Sequence, residues 1–534
     1  MAEVKANRTK KKQLGQFMTP IEKCQSILEN YKFNKSDKIL EPSFGCGNFI
    51  ITIIDKFLEI YEGTIEEKLT QILNNNLYGV EFDPEFYNEC LDNIKSKYGF
   101  LPESHNLVLS DYFLYNPPVE DGFDYIIGNP PFGGTIDPKY QDEMDKKYGV
   151  RNGHKIKKET YSFFMIKSIE CLKSNGKLVF ISSDTFLTIK TMTGLRLFLY
   201  EQGFNKIEKL FNFSEETDYP MIVLTHHKSN NKDHIDLDGV EIPYDNMKLT
   251  SNFSWYIQQE FVKYFRGDKL EKYLLGTSGM TVGKNELFLR EIREDNTIVE
   301  EYDFTFFDDP ITLEKEISKA RNNKLSLGKI KEYQDLERDG VTRRNIRITK
   351  LETPKIIQLP NPDYCFYNKA INETLYSKPN TVIFWKDDGD ACITFKKNGN
   401  WYLHGVGGKP YFKREGLTWQ LISSSIKSRY LPEGYILDSG APIAVLREGV
   451  QKSELLFIIG WLLTNKCNEI LKNVINHTKN IQSKDIERLP YPFWVNEENK
   501  SKAIQLVKES INYKKNNDCN PLELIQILEN LYKI

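Results

Sequence analysis

Leu40-Glu41-Pro42-Ser43-Phe44-Gly45-Cys46-Gly47-Asn48-Phe49 runs from an apolar strand through a tight Gly-x-Gly turn into the start of a helix. Glycine permits positive φ and close approach of the backbone to a ligand, which is what such a turn needs. The third glycine position of a dinucleotide fingerprint is held by Ile50, so the turn is not a pyrophosphate loop. Glu41 points the same way. A carboxylate just before the turn repels a pyrophosphate but attracts a cationic ligand such as a sulfonium-bearing amino acid.

Working outward, short apolar runs at Lys38–Leu40, Leu77–Val80, Leu107–Leu109, Tyr125–Ile127 and Leu178–Ile181 alternate with helical patterns at Phe49–Tyr61, Glu85–Lys97 and Tyr161–Leu172. That alternation predicts an α/β fold with a doubly wound, mostly parallel sheet. A closing pair near Ile207–Phe213 and Met221–Thr225 is expected to be antiparallel. Ligands of such sheets bind beyond the C-terminal strand ends. There Val80-Glu81-Phe82-Asp83-Pro84 offers Glu81 to both ribose hydroxyls and Phe82 to the flank of an adenine ring. Asp111, after the third strand, is placed to accept from an adenine amine. Taken singly, Asp111 reads better as a helix N-cap and Asp83-Pro84 as a surface turn; as an ordered set with Glu41 and Glu81 they do not.

Phe123-Asp124-Tyr125-Ile126-Ile127-Gly128 leads directly into Asn129-Pro130-Pro131-Phe132. Two prolines remove two backbone donors and hold the chain extended at the strand's C-terminal end. The Asn129 Oδ1 and the Pro130 carbonyl are thereby offered side by side, with the Phe132 ring two residues on. An exocyclic amine such as adenine N6, whose lone pair is delocalised into its ring, needs two acceptors for its hydrogens and a flat face to fix its plane. Asn116-Pro117-Pro118-Val119 is an internal control: it has Val in place of the ring and no buried strand before it. It reads as a plain turn.

Composition excludes several classes. At 534 residues with 40% hydrophobic and 28% charged content, the chain suits a multi-domain soluble protein. No apolar run approaches the ~20 residues of a membrane span, and the polar, basic start Met1–Lys12 has no signal-peptide core. A cytoplasmic location is expected. Cysteines 24, 46, 90, 171, 365, 392, 467 and 519 are scattered without a C-x-x-C pair, which argues for reduced thiols and against a metal ribbon. His226-His227 has no ligand partner at metal spacing and reads as a strand end, so no metal is expected. Net charge is −3, but residues 319–350 hold ten Lys/Arg against four acids, and Arg8–Lys12 and Arg151–Lys158 are also basic. With a base-handling site, these become candidate phosphate contacts.

The order Leu14-Gly15-Gln16-Phe17-Met18-Thr19-Pro20, then Glu41–Gly47, Glu81, Asp111 and Asn129–Phe132, resembles the N6-adenine DNA methyltransferases of the gamma group, found in restriction–modification systems. The resemblance covers about residues 12–225 and implies a class I S-adenosylmethionine-dependent methyltransferase fold. It further implies that Thr19, Gly45 and Gly47 bind S-adenosylmethionine, with Thr19 at its methionine end and Glu41 near its sulfonium and amine. Glu81 would then hold the ribose, Asp111 the adenine, and Asn129 with Pro130 the target amine. A second aromatic is expected against the flipped base: Phe213, with Phe211 and Tyr219 as alternatives in the same loop.

Lys228-Ser-Asn-Asn-Lys-Asp-His234 reads as a linker. The expected organisation is a basic flexible N-terminus over 1–12, a catalytic domain over 13–230 and a second α/β domain over 235–534 with C-terminal helices. Strands and turns are expected near Val382–Trp385, Trp401–Leu403, Gly407–Phe412 and Gly416–Trp419, and helices at Leu455–Leu463 and Pro521–Leu531. Ile475-Asn476-His477 and Ile481–Pro490 resemble a segment of the family's target-recognition domains. The implied partner is double-stranded DNA carrying a specific sequence, bound by a monomer in the nucleoid, with any cognate restriction endonuclease acting separately. Alternatives are N4-cytosine methylation, protein-glutamine methylation and a non-catalytic DNA-specificity module. Asn rather than Ser at position 129 favours adenine, and the long second domain disfavours the glutamine reading.

Overall fold

The apolar runs of the first half assemble into one sheet. Strands β1 (Ile39–Glu41), β2 (Leu77–Glu81), β3 (Asn106–Leu109), β4 (Phe123–Gly128), β5 (Leu172–Ser183), β6 (Gly203–Leu210), β7 (Met221–Lys228), β8 (His234–Leu237) and β9 (Val240–Pro243) lie in the order β9-β8-β6-β7-β5-β4-β1-β2-β3. The stretch β5-β4-β1-β2-β3 is parallel throughout, whereas β7 runs antiparallel to both β5 and β6. This is the computed structural model of the chain. It describes residues 18–132, 142, 146–151, 154–157, 159–210, 221–311, 343–393, 395–397, 400–401, 406–517 and 519–533. Two compact units divide it, Met1–Lys263 and Tyr264–Ile534.

Helices α1 (Ile21–Leu28), α2 (Asn48–Leu58), α3 (Pro84–Tyr98), α4 (Thr160–Cys171) and α5 (Thr193–Gln202) connect or flank these strands. α2 carries Phe49, Ile50, Ile53, Ile54 and Phe57 into one core with Leu28, Ile39 and Leu77. Each such side chain stabilises the fold by roughly 1.5–3 kcal/mol through removal from water. α3 begins where Asp83 accepts the Glu85 N–H at 2.9 Å, with Pro84 in the first turn and left-handed Gly99 at its end. Asp83-Pro84 is thus a helix start.

Chain order places the site. After β1 the chain moves outward to β2 and β3, then returns to lay β4 on the other side of β1. The C-terminal ends of β1 and β4 flank the point where the strand order reverses, the usual ligand crevice of an open parallel sheet.

The domain boundary differs from expectation. Residues 229–233 form a turn inside the sheet, where the Ser229 N–H donates to the Gln202 carbonyl at 2.8 Å. β8 then pairs parallel to β6 and buries Ile235 and Leu237. Polar composition marked a tight return of the chain and not a linker. The first unit accordingly reaches Lys263, not 230, and the second starts at Tyr264, not 235.

The second unit holds β10 (Leu274–Thr277), β11 (Leu289–Glu291), β12 (Thr297–Ile311), β13 (Arg343–Gln358), β14 (Tyr364–Asn368), β15 (Thr381–Phe384), β16 (Gly416–Thr418), β17 (Arg429–Leu431), β18 (Tyr435–Leu437) and β19 (Ile443–Leu446). They form sheets β10-β19-β16-β17 and β11-β15-β14-β18, with β12 and β13 a separate antiparallel pair. Helices α6 (Ser453–Leu463), α7 (Ser483–Arg488), α8 (Glu497–Asn517) and α9 (Leu524–Leu531) follow. Val406–Tyr411, expected as strand and turn, is a 3-10 helix.

The Ile475–His477 and Ile481–Pro490 segments are largely scaffold. Asn476 donates to the buried Asp485 at 2.7 Å, and Asp485 also pairs with buried Arg488. Glu487 accepts the Gly276 N–H at 2.7 Å. These side chains face inward, so they fix α7 and leave any base reading to other residues. Among the described residues no helix is long and apolar enough to cross a membrane.

Candidate active site

Glu41 ends β1, Glu81 ends β2 and Asn129 follows β4, so three separate strand tips converge. Thr19, Glu41, Ser43, Gly45, Asn48 and Asn129 are among the residues that line one cleft. Gly45 (φ +53°) and Gly47 (φ +90°) lie in the left-handed region, and a Cβ at Gly47 would stand 2.3 Å from the Cys90 Sγ. Both the conformation and the space therefore demand glycine at 47. At Gly79 on β2, a Cβ would stand 2.7 Å from the Phe44 ring; its absence seats the turn on the sheet.

Three hydrogen bonds tie the cleft together. Asn48 Nδ2 donates to the Thr19 carbonyl at 2.7 Å, fixing the segment before α1 to the start of α2. Asn129 Nδ2 donates to Thr19 Oγ1 at 3.1 Å. Ser43 Oγ donates to the Asn129 carbonyl at 3.2 Å, joining the β4 tip to the glycine turn.

The electrostatics are lopsided. Glu41 and Glu81 are only 2% and 3% exposed, and neither forms an ion pair among the described residues. Glu81 accepts the Gly45 N–H at 2.7 Å and the Phe82 and Asp83 N–H groups at 2.8 Å each. Burial raises its pKa, and those three amides partly offset the rise. Glu41 Oε2 has no hydrogen-bond partner among the described residues. Burial, then the neighbouring Glu81 charge, push the Glu41 carboxyl well above the usual range. A buried acid left without a cation is costly, and a bound cation is the simplest compensation.

The structure brings most of the expected residues to this region. Thr19, Glu41, Gly45 and Asn129 line the cleft, and Glu81 holds its glycine turn from behind. Pro130 is buried at the β4 tip. Phe132 is partly buried, its ring tilted against Tyr161 at 5.7 Å. Phe82 is 63% exposed beside Glu81. Asp111 accepts the Phe113 N–H at 2.8 Å in the turn after β3, where no helix follows it. Phe213, Phe211 and Tyr219 lie outside the described residues, as do Gln16 and most of 319–350. Ser43 and Asn48 were not singled out from sequence. Asn48, directly after Gly47 at a helix start, carried the available signal: a short amide able to reach a neighbouring carbonyl.

Residues 56–218 match the family described as Eco57I restriction-modification methylase. The chain is 29% identical over 249 residues to the Type II methyltransferase M.HincII of Haemophilus influenzae, covering 44% of this chain and 41% of that protein. The Type II methyltransferase M.TthHB8I of Thermus thermophilus is 28% identical over 196 residues, 36% of this chain and 39% of the relative. The chain thus spans about two fifths of the curated relatives it matches. A cryo-electron microscopy structure of a DrdV–DNA complex aligns at TM-score 0.57 and 14% identity, over 95% of this chain and 58% of that one. The Type IIL restriction-modification enzyme MmeI, solved in complex with DNA, aligns at 0.51 and 13%, over 99% and 75%. The first unit has the class I S-adenosylmethionine-dependent methyltransferase fold, and its residues 56–218 are similar to the Eco57I restriction-modification methylase family.

Proposed function

We propose that this chain methylates N6 of adenine within a specific duplex DNA sequence, using S-adenosylmethionine, with the target nucleotide swung out of the helix. The observation that carries this reading is the placement of Asn129 in the same cleft as Thr19 and Glu41, at the sheet's switch point. The residues fit the cofactor: buried Glu41 has an oxygen without a described partner, Gly45 and Gly47 hold the turn in the left-handed region beside the cleft, and the Glu81 carboxylate accepts the Gly45 N–H there. S-adenosylmethionine, when bound, supplies an electrophilic methyl group on a positively charged sulfur.

The chain's own groups would do the rest. Glu41 attracts the positive end of the cofactor, Glu81 accepts from its ribose, and Asp111 and Phe82 face its adenine. Thr19 Oγ1 accepts a hydrogen bond from Asn129 Nδ2 and thereby directs Oδ1 as an acceptor. Asn129 Oδ1 and the Pro130 carbonyl accept the two hydrogens of the target amine, which localises its lone pair for in-line attack. Phe132, with Phe213 on the opposite face, holds the ring plane. No protein nucleophile is needed. The second unit would read the DNA sequence. The chain would act as a monomer in the cytoplasm on nucleoid DNA, protecting it from a separate restriction endonuclease.

Asn129→Ala tests the assignment. The expected outcome is methyl transfer to DNA reduced by about 10²–10³-fold, with S-adenosylmethionine affinity by isothermal titration within about twofold of the parent. Near-normal transfer by the variant would refute the reading.

A further inference from the structure

The second unit contains a small cleft, open to solvent, that no part of the methyl-transfer reading uses. Its walls include Lys369, Lys378 and Arg429, and no acidic residue lines it. Arg429 is 2% exposed. Among the other buried arginines, Arg290 pairs with Glu300 and Arg488 with Asp485, though each keeps one nitrogen without a hydrogen-bond partner among the described residues. Arg196 donates through its nitrogens to carbonyls including those of Phe253 and Ile189.

Arg429 differs. It donates to Ser377 Oγ, to the Lys369 carbonyl at 3.2 Å and to Asn368 Oδ1 at 3.5 Å, and it pairs with no carboxylate among the described residues. Its Nε has no hydrogen-bond partner there either. Glu373, which acts on it through charge, is itself paired with Lys514 at 3.0 Å. Burial draws the Arg429 pKa down to about 10, a sign that the guanidinium lacks a matching anion. A further cation, Lys515, stands over the Tyr430 ring of the same wall at 5.8 Å.

We propose that this cleft binds a phosphate-class oxyanion, either a backbone phosphodiester of DNA or a free phosphate. A planar guanidinium flanked by ammonium groups matches tetrahedral phosphate oxygens. The pocket is argued independently of the catalytic cleft, and only the phosphodiester source leans on the DNA-methyltransferase reading.

The test uses the full chain and the double variant Lys369→Ala/Lys378→Ala, whose residues are half-buried and exposed respectively and so leave the fold intact; Arg429→Lys is a second variant that keeps charge but loses the fork. Thermal midpoints are measured with inorganic phosphate against chloride at equal ionic strength, and binding of a duplex oligonucleotide is measured across salt. If the occupant is a phosphodiester, the double variant binds duplex about tenfold more weakly, and its log–log salt slope falls by about 0.9 per lost contact. If the occupant is free phosphate, phosphate raises the parent's midpoint but not the variants', with duplex binding unchanged. Should phosphate leave every midpoint unmoved while duplex affinity and slope also stay put, the proposal is overturned. Neither readout involves methyl transfer, so a failed catalytic assignment is distinguishable from a failed pocket.

Discussion

Two tetrapeptides only thirteen positions apart, Asn116-Pro-Pro-Val119 and Asn129-Pro-Pro-Phe132, share three residues in the same order. Asn116 and Pro118 are exposed in a loop, where Val119 accepts the Gly122 N–H at 3.3 Å and no hydrogen bond among the described residues reaches the Asn116 amide. Asn129 instead continues β4, a strand paired on both sides, and meets Thr19 and Ser43. Local stiffness is common to both. What the second stretch adds is a strand that delivers it to the switch point, together with a ring. Chemistry is conferred by position, not by the dipeptide grammar.

Exchange of the ring is the sharpest way to break this comparison. Phe132→Val turns the second tetrapeptide into a copy of the first, and loss of base stacking should lower methyl transfer by about 10- to 100-fold. Val119→Phe, the reciprocal change, should leave it untouched. Single-turnover rates on duplex DNA check both. Equal loss in the two variants would mean that the strand context does not matter.

The next effect tests the acid beside Asn129, which is buried, whereas Glu120 and Asp121 in the loop after Asn116 are exposed. Glu41→Gln should weaken S-adenosylmethionine binding by about tenfold at pH 8, since a nearby charge pair is lost. Its effect on the ligand-free protein has the opposite sign. The folded Glu41 pKa lies above its unfolded value, so the group's contribution to stability is present below the unfolded pKa and is lost as pH rises through the folded one. The variant does not titrate there. Its denaturation midpoint should exceed the parent's at pH 8, and the gap should close towards pH 4. A parent that gains stability relative to the variant with rising pH would show that the carboxylate already has a partner.

The smallest effect concerns Phe82, an exposed ring at the rim. Phe82→Ala should raise the KM for S-adenosylmethionine by about threefold with kcat unchanged, as expected for one stacking contact made equally in ground and transition states. A fall in kcat alone would move Phe82 from the cofactor to the chemistry.

Legibility in the sequence followed the same divide. The alternation of apolar runs and helical patterns, Gly45 and Gly47, and the acids after β1 and β2 are all local signals, and they gave the sheet order's core and the cleft. Asn48, Ser43 and Gly79 act through contacts with residues 29, 86 and 35 positions away respectively, which no spacing rule reports. The boundary near 230 was misplaced because a polar turn inside a sheet and a linker have the same composition. In the second unit, the aromatic-rich stretches gave elements but not their pairing. Within the segments that resemble target-recognition domains, Arg488 and Asn476 are buried and turned inward as supports of α7. Arg429 gave no sequence signal at all, because its meaning depends on which acids are absent around it.

Nucleoside analysis tests the central claim most directly. Unmethylated phage DNA would be incubated with the protein and S-adenosylmethionine, digested to nucleosides and resolved by mass spectrometry, with Asn129→Ala run in parallel. The prediction is N6-methyladenine from the parent and background from the variant. N4-methylcytosine, or equal product from both proteins, would contradict it.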